Sequence, residues 1–236
     1  PPRSTLFPYT TLFRSNYILM PPCMDFKKAG EGDTGPNTGG LGSVCPVPWL
    51  DAAIQRRILT EIVEPTFAGL RAGGLMYKGV VYFGLMITTE GPKVLEYNVR
   101  FGDPETQALL PLITSDFGNL WDAVSAGTID KFPLAVSDSA SLGVVIAAKG
   151  YPGKYRKHLA VQIRERPEEK NLHIFHAATV RGDDGSLLTN GGRCFTVVGV
   201  GKDVYEAAGT AYAGAENVKF RGAWYRRDIG KRFMTD

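Results

Sequence analysis

The chain has 236 residues, 44 % hydrophobic and 22 % charged, enough apolar material for a real core, which excludes intrinsic disorder as the whole answer. Its 28 glycines and 15 prolines make it turn-rich, an α/β or α+β protein rather than a helical bundle. A net charge of +3 spread over 27 basic and 24 acidic residues, without long Lys/Arg blocks, disfavours nucleic acid and suits phosphorylated small molecules.

Cys23, Cys45 and Cys194 are far apart and odd in number. They make neither a disulfide framework nor a CxxC metal clip, which suits a reducing cytoplasm. No run of 18 apolar residues occurs, so no membrane helix is expected, and no internal repeat is found.

The chain opens Pro1-Pro2-Arg3-Ser4, and Pro8 with Thr5, Thr10 and Thr11 interrupts any signal-peptide core. Residues 1–15 resemble the conceptual translation of a sequencing-library adapter and are set aside as non-native. The rest is then expected to be the rear part of a longer protein.

Residues 17–24 read as a short strand ending at prolines, and 25–42, with six glycines, as a long loop whose backbone N–H groups can face a ligand. Ile54, Ile58, Ile62 and Leu59, Val63, Leu70 recur at helical spacing, which predicts a helix over 51–72, kinked at Pro65 and stopped by Gly73-Gly74. Strands at 79–88 and 92–98 flank a turn at Glu90-Gly91. Helices follow at 105–110 and 115–126, the second closed by Gly127, then a Ser/Asp/Pro-rich linker at 128–140. Beyond it lie short strands at 141–148, 159–164, 172–180, 186–189 and 193–200, with Asn190-Gly191 as a hairpin signal, and a helix at 202–217. The division falls between 16–135 and a β-rich part at 136–236.

Chemistry concentrates in Glu96-Tyr97-Asn98-Val99-Arg100-Phe101-Gly102-Asp103-Pro104-Glu105-Thr106. Alternate strand residues share a face, so Glu96 and Asn98 point the same way, ~6.6 Å apart along the strand. A carboxylate and a carboxamide oxygen are hard ligands for Mg²⁺ that is also held by phosphates. Arg100 adds a planar guanidinium for a phosphoryl oxygen, and Asp103 and Glu105 can grip an amine or ribose hydroxyls. An edge strand with a polar face and a charged turn is the plain structural alternative.

Other signals are weaker. Residues 30–35 match GxGxxG, but Pro36-Asn37 follows where a dinucleotide site needs a helix, and no P-loop occurs. His173 and His176 fall on opposite faces of a strand, which excludes a shared metal. Cys45 reads as a packing thiol, and the basic run Tyr151–Lys157 as solvated surface, with phosphate contact as the minority reading.

The runs Asp25-Phe26-Lys27-Lys28, Asp33-Thr34-Gly35-Pro36-Asn37-Thr38-Gly39-Gly40-Leu41-Gly42 and Glu96–Gln107 resemble the phosphoribosylamine–glycine ligase family of the ATP-grasp superfamily. So do Ser141–Val145, Gly150-Tyr151-Pro152-Gly153, Phe175-His176-Ala177 and Thr189-Asn190-Gly191-Gly192-Arg193, in the family's order from about residue 16 to the end. The resemblance implies an α+β chain, the C-terminal part of an ATP-grasp fold followed by a small β-rich C-terminal domain. It implies ATP-dependent ligation of glycine to 5-phosphoribosylamine through a glycyl phosphate, with Mg²⁺ or Mn²⁺, in purine biosynthesis. Glu96 and Asn98 would hold the metal and Arg100 would meet the transferred group. Asp25, Lys27, Asn37, Thr38, Gly39, Asp103 and Glu105 would line the substrate side. Phe26 and Leu41 stand where many members have His and Met, and strand 79–88 offers no acidic metal ligand. The family's N-terminal domain and adenine-clamping lobe would precede residue 16. Two alternatives stay open: another ATP-grasp carboxylate–amine ligase, or a catalytically incompetent fragment that binds phosphorylated ligand or a partner chain.

Overall fold

The computed structural model describes residues 6–13, 16–75, 77–164 and 169–234. Two compact units divide the chain, and neither is a continuous stretch. One gathers residues up to Met24, Pro46–Gly102 and Ile113–Ser137; the other gathers Asp25–Cys45, Asp103–Leu112 and the chain from Asp138 on. The second unit thus resumes close to the division placed at 135/136, but it also takes in two earlier segments.

The first unit is built on an antiparallel sheet ordered Tyr17–Leu19, Leu6–Phe13, Gly79–Thr88, Gly91–Asn98. Leu6–Phe13 belongs to the run set aside on sequence grounds, yet it pairs along its length with Gly79–Met86. Gly79–Thr88 is rich in β-branched and aromatic residues and mostly buried, as a central strand requires. Phe67 packs over this sheet, stacked on Tyr17 at 4.7 Å and edge-on to Phe83 at 6.0 Å.

The helix predicted over 51–72 forms as one run with an altered middle. Asp51 caps it by accepting from the Ile54 N–H at 2.8 Å. After Ala52–Ile58 the chain widens into a π-helical segment, Leu59–Val63, and returns to α over Glu64–Ala72. Pro65, where a kink was expected, sits in the first turn after the wide segment, next to the altered hydrogen bonding. Gly73 ends the helix. Phe117–Ala126 is closed by Gly127 as read from the sequence, and Asp116 caps its start.

The second unit holds a larger sheet ordered Leu172–His176, Arg193–Gly201, Ala140–Ala148, Gly42–Cys45, Met24–Asp25, with Ala223–Trp224 also pairing Ala140–Ala148. Helix Val204–Ala215, capped by Asp203, lays Ala207, Ala208 and Ala211 against this sheet. Ala140–Ala148 is buried throughout, in keeping with its largely apolar sequence, and its one hydroxyl, Ser141, donates to backbone carbonyls.

Several local expectations change here. The 25–42 loop contains an antiparallel hairpin, Lys28–Gly30 with Thr34–Asn37. Asn190-Gly191 does not turn a hairpin: Leu187–Thr189 pairs with Thr179–Arg181, whereas Arg193–Gly201 joins the large sheet. The hairpin turn is Gly182–Ser186, whose Asp184-Gly185 step carries the same chemistry. The strand expected over 172–180 breaks into Leu172–His176 and Thr179–Arg181, and that over 159–164 shrinks to Gln162–Ile163. No helix among the described residues is long and apolar enough to cross a membrane.

Candidate active site

The predicted site residues fall into two groups, one in each unit. In the first unit, register pairs Gly84 with Glu96, Phe83 with Tyr97 and Tyr82 with Asn98, so Glu96 and Asn98 share a face of the strand. The register slips between Gly84 and Leu85, leaving Leu95 as the extra residue of a bulge just before Glu96; bulges re-aim neighbouring side chains. Tyr97 packs on Phe83 at 5.4 Å and its hydroxyl lies 3.1 Å from Thr66 Oγ1, which fixes this part of the strand.

Among the described residues, neither the Glu96 nor the Asn98 side chain has a hydrogen bond or ion pair. Opposite them, a Cβ on Gly84 would come within 2.7 Å of Glu96 Cγ, so the glycine leaves room for the carboxylate to lie over the sheet. Two hard oxygen donors with free lone pairs fit Mg²⁺, which keeps waters and takes phosphate oxygens for the rest of its shell. No cluster of three or more His, Cys, Asp or Glu able to hold a metal occurs among the described residues. Arg100 follows the strand, exposed, its Nη1 donating to the Phe101 carbonyl at 2.8 Å.

In the second unit the glycine-rich segment is stitched to its own start. Leu41 N–H donates to Phe26 O, and Thr38 gives both its N–H and its hydroxyl to Lys27 O. Gly40 N–H goes to Thr38 Oγ1 and Gly39 N–H to the Tyr151 hydroxyl at 2.9 Å. These N–H groups are therefore engaged internally, contrary to the expectation that they face a ligand. The segment presents its exposed hairpin strand Thr34–Asn37 outward, with Asn37 at its end. Gly40 has φ +108°, and a Cβ there would strike Pro104 Cδ and Asp25 Oδ1.

Arg193 joins the segment to the Asp103 turn. Its Nη1 donates to Gly39 O at 2.8 Å and to Asp103 O at 2.9 Å, and its Nη2 to Asp103 Oδ2 at 3.0 Å. Asp103 Oδ1 also accepts from Gln107 Nε2 at 3.1 Å. Beneath lie two buried carboxylates, Asp25 and Glu105. Lys27 Nζ is an ion partner 3.1 Å from Asp25 Oδ2, but its direction leaves both Asp25 oxygens without a well-formed hydrogen bond. Burial and the neighbouring Glu105 charge push the Asp25 carboxyl well above the usual range, against the pull of Lys27. The Asp25 side chain has no exposed surface, so it acts through Lys27, whose side chain is partly exposed.

The chain's tail anchors the hairpin. Arg226, fully buried, donates through Nε and Nη2 to Asp228 at 2.8 and 2.7 Å, and through Nη1 to Asp33 Oδ1 at 3.0 Å and Lys28 O at 2.9 Å. Arg232 also pairs with Asp33, and both guanidinium groups lie over the Phe26 ring at 5.4 and 5.3 Å. A Phe at position 26 thus suits two flanking cations. Burial would lower the Arg226 pKa, but the Asp228 and Asp33 bonds outweigh it and raise it.

Arg193, Tyr151 and Arg226 were not among the candidates read from the sequence. Arg193 and Tyr151 lie inside family-like runs, which was the available signal; Arg226 had none beyond its place in a charged tail. His173 stacks on Phe175, His176 lies against Phe195 and Thr179, and Cys23, Cys45 and Cys194 are free, buried thiols.

Residues 10–106 match the phosphoribosylglycinamide synthetase ATP-grasp (A) domain, and 141–232 its C domain. The phosphoribosylamine–glycine ligase of Caldanaerobacter subterraneus subsp. tengcongensis is 44 % identical over 214 residues, 91 % of this chain and 51 % of that protein. The crystal structure of the Thermotoga maritima phosphoribosylamine–glycine ligase superposes with a TM-score of 0.85 at 35 % identity, over 97 % of this chain and 56 % of that one. The biotin carboxylase subunit of a pyruvate carboxylase shares the fold, with a TM-score of 0.65 at 15 % identity, over 94 % of this chain and 47 % of that one. The chain spans about half the length of the curated ligases it matches. Two family parts in order and this level of identity give one conclusion: the chain belongs to the phosphoribosylglycinamide synthetase family, the phosphoribosylamine–glycine ligases, and has the ATP-grasp fold with the family's C domain.

Proposed function

We propose that this chain supplies the metal-binding and substrate-binding part of an ATP-dependent ligase joining glycine to 5-phosphoribosylamine. The observation that carries this reading is the match to both family parts, in order, within one chain. In the reaction, a glycine carboxylate oxygen attacks the γ-phosphorus of ATP, ADP leaves, and glycyl phosphate forms. The amine of phosphoribosylamine then attacks the acyl carbon; phosphate leaves, the amine gives up a proton, and glycinamide ribonucleotide results.

Glu96 and Asn98 would hold Mg²⁺ or Mn²⁺, which spreads the charge of the transferring phosphoryl group when bound. Arg100 meets the transferred oxygens through a planar, permanently charged fork. Lys27, Asn37, Thr38, Gly39 and Asp103 form the substrate side, with the buried Asp25 and Glu105 beneath it; Asp25 holds Lys27, and Arg193 holds Gly39 and Asp103 in place. The setting is a reducing cytoplasm, in keeping with three free thiols.

The test is glycine-dependent ADP release with phosphoribosylamine generated in situ. The chain is assayed alone and with the half of a relative ligase that it does not span, supplied as a separate polypeptide. Turnover that needs glycine and appears on complementation supports the ligase. ATP turnover indifferent to glycine overturns it in favour of another ATP-grasp activity.

A further inference from the structure

We propose that a basic cavity at the end of strand Ala140–Ala148 binds the phosphate monoester of a ribose 5-phosphate group. Identifying that group with the non-reacting end of phosphoribosylamine rests on the ligase reading above. The cavity has a volume of about 560 Å³, within the range of small-ligand sites. Lys149, Lys154, Arg156 and Arg221 line it, with no carboxylate among the lining residues.

Strand pairing builds the frame. Ala223 pairs with Ala148 and Trp224 with Ala147, so Arg221 and Lys149 leave adjacent ends of two paired strands. Trp224 Nε1 donates to Ala148 O at 3.0 Å and locks that end. On the other side Tyr151 carries the turn that delivers Lys154 and Arg156, and its ring lies 6.2 Å from that of Tyr155. The Tyr151 hydroxyl accepts the Gly39 N–H, so the turn that carries Lys154 and Arg156 is tied to the Asn37–Gly39 segment.

Charge pairing separates these cations from the four basic residues around the Asn37–Gly39 segment and the tail. Arg193 is matched by Asp103, Lys27 by Asp25, and Arg226 and Arg232 by Asp33 and Asp228. Lys149, Lys154, Arg156 and Arg221 have no ion pair among the described residues. Four exposed cations lining one cavity without counter-charges repel one another, and a dianionic phosphate removes that repulsion and suits their guanidinium forks. The sequence offered phosphate contact for Tyr151–Lys157 only as a minority reading, because Lys149 and Arg221 are brought to that run by tertiary pairing.

The experiment titrates the chain with ribose 5-phosphate, inorganic phosphate and ATP, followed by amide NMR shifts and calorimetry at two salt concentrations. Ribose 5-phosphate is expected to saturate with shifts at Gly150 and Gly222, and to bind more tightly than inorganic phosphate. The exposed double change Lys154→Gln/Arg156→Gln should weaken it about tenfold or more, since each lost bond is to a charged group. Lys202→Gln, outside the cavity, should leave it unchanged. Equal binding by the double variant and the control, shifts confined to other amides, or ATP displacing ribose 5-phosphate from these amides would each overturn the assignment. No ATP turnover is needed, so failure here leaves the glycine-dependent assay free to succeed.

Discussion

Arg193 grips Asp103 through its Nη2 and the carbonyls of Gly39 and Asp103 through its Nη1, with bonds of 3.0, 2.8 and 2.9 Å. One guanidinium thereby sets the spacing of two segments 64 residues apart in sequence, both expected to face substrate. Arg193→Lys keeps the charge but loses the fork. It should leave the melting temperature within a few degrees, raise hydrogen exchange at the Gly39 and Gly40 amides, and cut complemented turnover on the order of a hundredfold. Unchanged exchange with unchanged turnover would remove Arg193 from the site.

Asp25 gives a pH signature. Its folded pKa lies well above the ordinary 3.8 because of burial and Glu105. The folded chain therefore keeps a proton that the unfolded chain has released, and the stability from this position falls as pH rises from about 3.8 to the folded pKa. Asp228, held below its usual value by Arg226 and the Gly32 N–H against the effect of burial, acts oppositely and at lower pH. Subtracting the denaturation curves of Asp25→Asn from those of the natural chain isolates the first effect. The difference should grow with pH and then level off, with the variant the more stable by a few degrees in melting temperature. A difference that is flat, or of opposite sign, would contradict this.

Arg226 is the test of the tail as an anchor. Arg226→Ala leaves the Asp228 carboxylate with the Gly32 N–H alone and Asp33 with Arg232 alone, and removes the guanidinium donor from Lys28 O. The cost should be about 3–5 kcal/mol in urea denaturation, the usual range for removing one partner of a buried pair. A loss under about 1 kcal/mol would show that the tail is dispensable to the hairpin.

The metal reading can be probed without touching a ligand. Gly84→Ala puts a Cβ within 2.7 Å of Glu96 Cγ, which the flexible side chain can escape only by moving. Stability should change little, whereas the Mg²⁺ concentration needed for half-maximal complemented turnover should rise several-fold. Glu96→Ala should abolish most of that turnover. Normal Mg²⁺ dependence in both variants would move the metal elsewhere.

Much of this chain could be read from local pattern. Helix ends followed from Gly73-Gly74 and Gly127, because a helix stop acts within a turn of its own residue. The shared face of Glu96 and Asn98 followed from the two-residue period of a strand, and the family runs carried the fold. The Asn190-Gly191 step misled because a turn dipeptide fixes the local bend but not which strand will accept the next segment. The 25–42 loop misled because free N–H groups in a sequence are only potential donors. Lys27 O, Phe26 O and the Tyr151 hydroxyl claimed them.

The sequence by itself determined the helices, the long strands, the metal-suited strand face and the family. Tertiary structure alone decided that Arg193 would clasp Gly39 to Asp103, that Arg226 would be buried between Asp33 and Asp228, and that Lys149 and Arg221 would join Lys154 and Arg156 around one cavity. The physical reason is range. Propensity, capping and strand alternation act over a few residues, whereas these charge pairings join segments up to 193 residues apart, which only the folded backbone brings within hydrogen-bonding distance.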